Sequence, residues 1–306
     1  MMGAVIQWMP TSAGIGRALA EQLDAPGHEI ALHRFPDGEL RVTVGPAAPT
    51  TVICCSLNDP NEKLIALLFA AEALRRGGAH RLVLVAPYLG YMRQDAAFHA
   101  GEAISQRAIG DLLAKTFDRV VTVEAHLHRT ATLSQVFPGL ETDNLSAASA
   151  IESMLRAHTL DSTTLVVGPD TESLPWVSGL ADRLGLAFAV GEKVRFGDRS
   201  VQIVFSDAAR LWHRPVVLVD DIVSSGGTLF ICAEALASSG VSSIDAVVVH
   251  ALFPPELLNE FSRAGIRSLR STNSVPHPTN GIALDRILAD ALRREVVVTS
   301  IAENGA

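Results

Sequence analysis

Two adjacent carboxylates followed by a run of small and hydroxyl-bearing residues form the most informative segment of this chain. Asp220 and Asp221 follow residues 216–219, which have the length and β-branching of a strand covered on both faces. Shortly after them comes a turn made of Ser224, Ser225, Gly226, Gly227 and Thr228. Such a turn can expose consecutive backbone N–H groups, and a helix beginning at Leu229 adds the positive end of its dipole. The segment therefore predicts an anion site suited to a phosphate monoester.

Carboxylates beside an anion site need an explanation of their own, because a phosphate alone does not use them. They indicate a ligand that also carries hydroxyls, a bound Mg²⁺, or both. A ribose 5-phosphate fits, with its phosphate in the turn and its 2- and 3-hydroxyls donating to Asp220 and Asp221. The alternative is an ordinary strand-to-helix turn in which one Asp caps the helix and the other is solvated. The order of acids, hydroxyl residues and glycines favours the binding site.

The bulk properties limit the class of protein. The chain has 306 residues, of which 48% are hydrophobic and 19% charged, enough for two domains with cores. A formal net charge of -8 argues against a general nucleic-acid binder. Neither a basic leader nor a span of membrane length occurs, so we expect no membrane partner. The three cysteines lack metal-type spacing and favour a reduced, cytoplasmic protein.

Short β-branched runs alternate with amphipathic segments along the whole chain. The runs include residues 51–55, 81–86, 119–123, 164–167, 216–219 and 246–249. This alternation predicts an α/β fold with parallel sheets flanked by helices. A faint repeat, Ala-Glu-Ala-Leu at 71–74 and again at 233–236, is consistent with two similar domains. We place them at residues 1–144 and 145–284, followed by a last helix and strand at 285–306 that packs back on the first domain.

Two polar segments of the first half could contact a phosphate-bearing ligand. A turn at 34–39 offers an aromatic face at Phe35, acceptors at Asp37 and Glu39, and a flexible position at Gly38. The alternative is a hairpin turn with exposed acids that bind nothing. A second segment, which contains Arg93, Gln94 and Asp95, follows the predicted strand 81–86. It lies at the edge of the sheet where ligands of α/β proteins bind. The fork of Arg93 can clamp phosphates. The alternative is a polar loop in which Arg93 pairs with Asp95.

Four further residues stand at strand ends or on a segment bounded by glycines. His126 follows the predicted strand 119–123, and Asp170 follows 164–167. A lone His is most often a satisfied or surface residue, and helix capping is a good alternative for Asp170. Lys193 and Arg195 alternate between Gly191 and Gly197, so they share a side if the segment is extended. They form either a solvated edge or a pair of cations for a migrating pyrophosphoryl group.

Taken together and in this order, these motifs resemble the phosphoribosyl pyrophosphate (PRPP) synthetases, or ribose-phosphate diphosphokinases, in their short archaeal-type form. His250 with the following Ala-Leu-Phe, and Thr272-Asn273-Ser274, extend a similarity that covers nearly the whole chain. The resemblance implies two tandem phosphoribosyltransferase-like domains. It also implies a homo-oligomer in which a neighbouring subunit completes the ATP site.

The same resemblance implies a role for each candidate residue. ATP would be bound by Phe35, Asp37, Gly38, Glu39, Arg93, Gln94 and Asp95. The Mg²⁺ site would include His126 and Asp170. Lys193 and Arg195 would lie on a mobile catalytic loop, with Arg195 also contacting ribose 5-phosphate. The sugar phosphate would otherwise be held by Asp220, Asp221, Ser224, Ser225, Gly226, Gly227 and Thr228.

The chain departs from the family pattern at a few positions. Ala96 replaces the usual Arg, Glu124-Ala125 replaces Asp-Leu, and Thr171-Glu172 replaces Gly-Gly. We expect these changes to affect regulation and rate more than the reaction. Two alternatives stay open: a phosphoribosyltransferase that uses PRPP, and a catalytically inactive paralogue that regulates a true synthetase.

Overall fold

Two compact units make up the chain. The computed structural model describes residues 3–127, 129–158, 160–196, 200–206 and 208–301, without the side chains of residues 195, 196, 200, 201, 208 and 297–301. The first unit comprises Met1–Ser146, Ser274–Pro276 and Leu284–Ala306, and the second comprises Ala147–Asn273 and His277–Ala283.

The first unit is built on a parallel sheet whose four inner strands are buried on both faces. Its elements are β1 (Ala4–Trp8), α1 (Ala13–Gln22), β2 (Gly27–Glu29), β3 (Ala31–Arg34), β4 (Leu40–Thr43), β5 (Thr50–Cys54), α2 (Pro60–Arg76), β6 (Arg81–Ala86), α3 (Ser105–Thr116), β7 (Arg119–Val123), α4 (Leu133–Val136) and β8 (Glu141–Leu145). The sheet order is β2-β1-β5-β6-β7-β8. β3 and β4 form a separate antiparallel hairpin. The apolar runs at 51–55, 81–86 and 119–123 become strands because helices cover both faces.

The second unit repeats this arrangement. Its elements are α5 (Ala148–Ala157), β9 (Leu165–Gly168), α6 (Leu174–Leu184), β10 (Ala187–Val190), β11 (Glu192–Phe196), β12 (Ser200–Val204), β13 (Pro215–Val223), α7 (Gly227–Ser238), β14 (Ser243–Ala251), α8 (Leu258–Arg263), β15 (Ile266–Thr272) and β16 (Asn280–Ile282). Its parallel sheet has the order β10-β9-β13-β14-β15-β16, and β11 pairs with β12 in a hairpin. The hairpin occupies the same place in the order of strands as in the first unit. The predicted fold, two similar domains with parallel sheets flanked by helices, is confirmed.

The order of strands creates a crevice in the second sheet. The chain passes from β9 outward to β10, and after the hairpin it returns to β13 on the other side of β9. Loops that leave neighbouring strands in opposite directions open a crevice at the carboxyl ends of those strands, and ligands of α/β proteins bind there. The second unit therefore directs the loops after β9 and β13 to one place.

Three local boundaries differ from the predictions. β13 continues to Val223 because its ladder with β14 extends to the pair Val223↔Ala251, so Asp220 and Asp221 lie within the strand. α7 begins at Gly227, before the expected Leu229. The expected strand after the last helix is not found within residues 285–301, which form the single helix α9 (Asp285–Ile301). Residues 302–306 lie outside the described part.

The three cysteines are buried and unpaired. Burial raises the pKa of the Cys55 thiol to about 12 and also raises the pKa values of Cys54 and Cys232, so these thiols stay protonated. Among the described residues, none of the helices has the length and apolar character needed to cross a membrane.

A buried ion network fastens α9 to the amino ends of the first sheet's strands. Glu295 on α9 accepts hydrogen bonds from Arg81 at 2.7 Å and from Arg119 at 2.8 Å. Arg119 is only 1% exposed and also binds Asp143 at 2.6 Å. Burial alone would raise the pKa of Glu295, but the hydrogen bonds from both arginines outweigh it and hold that pKa below its ordinary value. The last helix is therefore an integral part of the first unit.

We predict that Glu295→Gln destabilises the protein by roughly 3 kcal/mol, the lower end of the range for breaking a buried ion pair, because Arg119 keeps Asp143 as a partner. The matched control on the same helix is Asp290→Asn, which removes the exposed Arg293–Asp290 pair and should cost less than about 1 kcal/mol. Urea unfolding of both variants measures the difference. Equal, small effects would show that α9 does not depend on this network.

Candidate active site

The segment after β13 forms a short turn that leads directly into a helix. We refer to residues 224–228 as the Ser/Gly turn. Its residues 225–228 have backbone N–H groups that donate to no acceptor within the described part of the chain. The first N–H groups of a helix lack intrahelical partners and point along the positive end of its dipole. The Ser/Gly turn therefore presents a set of donors ready for an anion.

Two glycines of the turn have different roles. Gly226 has φ = +79°, a conformation that side chains disfavour, and a Cβ there would lie 2.8 Å from Cζ of Phe261. Phe261 is buried and stacks on Phe230 with ring centroids 4.4 Å apart. At Gly227, by contrast, the nearest atom to a Cβ would be Ser225 Oγ at 3.9 Å. The turn is thus packed tightly behind Gly226 and open in front of Gly227.

Asp220 lies beside this turn in an environment that disfavours its charge. Its Oδ1 accepts the backbone N–H of Asp221 at 3.0 Å. Burial raises the pKa of Asp220 well above its ordinary value, and the negative charges of Asp221 and Asp170 raise it further. A cation or hydroxyl donors bound here would stabilise the charged carboxylate.

Asp170 reaches the same crevice from the end of β9. One of its oxygens, Oδ1, accepts the backbone N–H groups of Glu172 and Ser173 at 3.1 and 3.3 Å, which caps the short 3₁₀ helix Thr171–Ser173. The other oxygen, Oδ2, binds Nζ of Lys193 at 2.5 Å. The helix cap that we weighed for Asp170 is therefore present, together with an ion pair.

Lys193 and Arg195 occupy alternating positions of β11, paired with Ile203 and Val201 of β12. The segment that we expected as a loop is therefore a strand of a hairpin up to Phe196. Gly197 and the side chain of Arg195 lie outside the described part. This hairpin places the cation of Lys193 beside Asp170 and within the field of Asp220.

The first polar segment of the first unit is the tip of the β3–β4 hairpin. Phe35 N donates to Glu39 O at 2.8 Å, and Glu39 N donates to Asp37 Oδ1 at 3.2 Å. Gly38 allows the turn with φ = +94°. Phe35 is 37% exposed, so its ring and the neighbouring acids face solvent. A hairpin turn with exposed acids is what we expected if these residues bound nothing, and it also leaves them accessible to a ligand.

The second polar segment follows β6. Gln94 Nε2 donates to Ala96 O at 3.1 Å, and Gln94 O accepts the backbone N–H of Gln106 at 3.2 Å. Asp95 binds Arg129, with Nη1 at 2.6 Å from Oδ1, and its side chain is 2% exposed. Asp95 therefore holds Arg129 in place, which favours a positioning role over direct contact with a ligand.

Both segments are attached to the start of α2. Arg34 of the hairpin forms an ion pair with Glu62, and Tyr91 donates from its hydroxyl to Asn61. The hairpin and the loop containing Arg93 consequently lie on one side of the first unit.

His126 lies half-buried in the turn after β7. This turn is held by the end of β8, because Asn144 Oδ1 accepts the N–H of Ala125 at 2.8 Å. Glu124 has φ = +40°, which marks a sharp change of chain direction before His126. His126 belongs to the first unit and Asp170 to the second.

The described residues contain no group of three or more His, Cys, Asp or Glu side chains arranged to hold a metal. Mg²⁺ binds proteins through one or two carboxylates and keeps several waters or substrate oxygens, so a complete protein cage is not required. The carboxylates of Asp170 and Asp220, of which Asp220 has a raised pKa, suit such a hard cation.

Comparisons with known proteins agree with this architecture. The family described as the N-terminal domain of ribose phosphate pyrophosphokinase matches residues 5–116, and the phosphoribosyl transferase domain matches 142–259. The ribose-phosphate pyrophosphokinase of Methanopyrus kandleri is 31% identical over 93% of this chain and 97% of its own. That of Thermococcus kodakarensis is 34% identical over 84% and 89%. The phosphoribosylpyrophosphate synthetase of Mycobacterium smegmatis shares the fold, with a TM-score of 0.81, 24% identity and coverage of 99% and 100%.

The fold and the Ser/Gly turn define a protein with two phosphoribosyltransferase-like units. Since the matches span nearly the whole chain, the protein belongs to the ribose-phosphate pyrophosphokinase family. The resemblance inferred from the sequence motifs, including its archaeal members, is confirmed.

Two residues of the site region were missed by sequence reasoning. Arg129 lies 34 residues from its partner Asp95 and sits over the ring of Phe98 at 5.1 Å. Phe261 lies behind Gly226. Neither carries a local motif, because both act through contacts between segments distant in sequence.

We predict that Asp220→Asn raises the thermal midpoint of the ligand-free protein at neutral pH by roughly 2–4 °C. Because the folded-state pKa is raised, wild type loses stability as pH rises from the ordinary Asp value through that raised pKa. The difference should vanish as the pH falls below about 4, where the unfolded carboxyl is also protonated. Scanning calorimetry against pH measures it, with Glu234→Gln on the exposed face of α7 as the control. A lower midpoint for Asp220→Asn would contradict this electrostatic account.

Proposed function

We propose that the protein transfers the β,γ-pyrophosphoryl group of MgATP to O1 of ribose 5-phosphate, giving PRPP and AMP. The observation that carries this proposal is the Ser/Gly turn, whose N–H groups at residues 225–228 have no acceptor in the described part of the chain and lie beside two carboxylates. A phosphate monoester satisfies the donors, and the sugar hydroxyls satisfy Asp220 and Asp221. Membership of the family supports the same reaction.

In this proposal the first unit supplies the nucleotide side. Phe35 offers an exposed ring for the base, and Arg93 and Gln94 offer donors to the phosphates. A second copy of the chain would complete the ATP site, and the exposed apolar side chains of Ile65 and Phe69 on α2 support such a contact. A monomer under assay conditions, measured by light scattering, would contradict the homo-oligomer.

The reaction is an in-line displacement at the β-phosphorus. The O1 hydroxyl of ribose 5-phosphate attacks, the new O1–P bond forms, and the bond from Pβ to the α,β-bridging oxygen breaks. That oxygen leaves with AMP, and the proton of O1 passes to solvent, since no general base is assigned. Holding both substrates in place lowers the barrier by roughly 7–11 kcal/mol in favourable cases.

The charges of the site would stabilise the migrating group. Lys193 is held beside Asp170 at 2.5 Å, and we propose that it shifts to the transferring phosphates when the substrates bind. Asp170 and Asp220 would hold Mg²⁺, which when bound neutralises phosphate oxygens, and the metal role of His126 stays a separate prediction.

AMP should appear only when MgATP and ribose 5-phosphate are both supplied. Chromatography of the nucleotides after incubation measures the product. ADP in place of AMP would mean transfer of the γ-phosphoryl group alone and would contradict the proposed reaction. Absence of any turnover, with both substrates bound, would favour the inactive regulatory paralogue.

Lys193→Ala should lower kcat at least about a hundredfold while leaving substrate affinity within a factor of roughly three. The reason is that its charge acts mainly while negative charge develops on the bridging oxygen. Lys115→Ala, which removes an exposed lysine of α3, is the control. Steady-state kinetics and binding of each substrate measure the two effects. A near-normal kcat for Lys193→Ala would mean that this lysine only pairs with Asp170 and has no part in the reaction.

A further inference from the structure

A second cleft lies at the opposite end of the second sheet. It has a volume of about 620 Å³ and is lined by residues at or near the amino ends of β9, β13, β14 and β15. Pockets for small organic ligands have volumes of roughly 300–1,000 Å³. We refer to it as the amino-edge cleft.

The amino-edge cleft is distinct from the Ser/Gly turn. Pro215, which begins β13, lines the cleft, whereas Val223, which ends the same strand, precedes the turn. A strand of this length spans roughly 26 Å. A ligand of the cleft therefore does not contact the site of the proposed reaction.

A β-bulge directs two arginines into this cleft. The β14–β15 ladder pairs Ile244 with Ile266 and then Asp245 with Ser268, so Arg267 is the extra residue on β15. A bulge re-aims the side chain at the inserted position. Arg267 and Arg270, which would face opposite sides of a regular strand, consequently both line the cleft.

Two arginines and two aspartates line the cleft. Although burial acts in the opposite direction, the charge of Arg270 as well as that of Arg267 lowers the pKa of Asp245. Arg267 binds Asp245 through Nε, at 3.1 Å from Oδ1, and through Nη2, which leaves its Nη1 donors available. Arg270 is half-buried, and its hydrogen-bond partner among the described residues is the thioether of Met154 at 3.6 Å. Asp161 lies exposed at the rim, with Oδ1 engaged by Thr163. Arg270 is therefore a cation in a concave site that donates no hydrogen bond to an oxygen atom within the described part of the chain, although it lies in the field of Asp245.

Hydroxyl groups surround these arginines. Ser242, Ser243 and Thr164 line the cleft together with the Arg pair, and His213 stands at its wall next to Trp212, with ring centroids 4.5 Å apart. Hydroxyls can donate to or accept from a polar ligand, and an Arg fork suits carboxylates and phosphates.

We propose that the amino-edge cleft binds a small hydroxylated organic anion, whose phosphate or carboxylate group is held by Arg270 and by the remaining donors of Arg267. Phosphate monoesters and dicarboxylates share the required oxyanion chemistry. This proposal is independent of the reaction proposed above.

Calorimetric titration of the full chain tests the proposal, with glycerol 3-phosphate and malate as separate probes. Gly227→Val serves as the background, because its side chain fills the open face of the Ser/Gly turn and removes competing phosphate binding there. We expect saturable binding of at least one probe in this background. Arg270→Gln should weaken it roughly tenfold or more, since a charged hydrogen bond is lost.

Two further variants keep the test decisive. Arg267→Gln, at an exposed position that tolerates substitution, should weaken binding, whereas Arg263→Gln on the exposed face of α8 should not. Binding of glycerol 3-phosphate alone assigns the site to phosphate esters, and binding of malate alone assigns it to carboxylates. No saturable binding of either probe up to about 10 mM, or binding unchanged in both Arg267→Gln and Arg270→Gln, overturns the proposal.

Discussion

Backbone N–H groups that have no acceptor among the described residues are the constraint on which the site of this protein depends. The donors of residues 225–228 follow the central strand β13, where the sheet holds their position. Gly226 makes the turn possible at φ = +79°, and Phe261 fills the space behind it. Unpaired donors are costly inside a protein, so this turn is stable because it faces a ligand or water. The carboxylates and Lys193 are arranged around that opening.

The two units show how one topology gives two different sites. In the first unit the equivalent turn, after β5, leads into a helix that begins with Pro60, which has no N–H to offer. Lys63 fills the turn and donates to the carbonyl oxygens of Ser56 and Asn58 at 2.8 and 2.6 Å. Burial lowers the pKa of that lysine. The side chain of Lys63 thus occupies the equivalent turn of the first unit and leaves no room there for a phosphate. This supports phosphate binding by the turn of the second unit, and nucleotide binding by other loops of the first unit.

The local sequence pattern predicted the strands, the helices and the Ser/Gly turn. The hairpin and the ion pairs depend on contacts between segments that are distant in sequence. Strands such as β6 follow from β-branched runs, and the Ser/Gly turn follows from its glycines and hydroxyls. The hairpin at Lys193 depends on β12, and the Lys193–Asp170 pair joins residues 23 apart, which no local spacing signals. The segment after Glu295 has strand propensity but is helical, because Glu295 must face Arg81 and Arg119 from α9. The roles assigned to individual site residues remain predictions.

The ratio of kcat/KM for ribose 5-phosphate to that for ribose tests the central role of the Ser/Gly turn most directly. Each hydrogen bond to a charged group contributes roughly 1.5–3 kcal/mol, so two such bonds predict a ratio of at least about a hundred. Gly227→Val should abolish most of that preference, because the side chain occupies the open face of the turn while the fold accepts it. Comparable kcat/KM values for the two sugars in the wild-type enzyme would contradict the account.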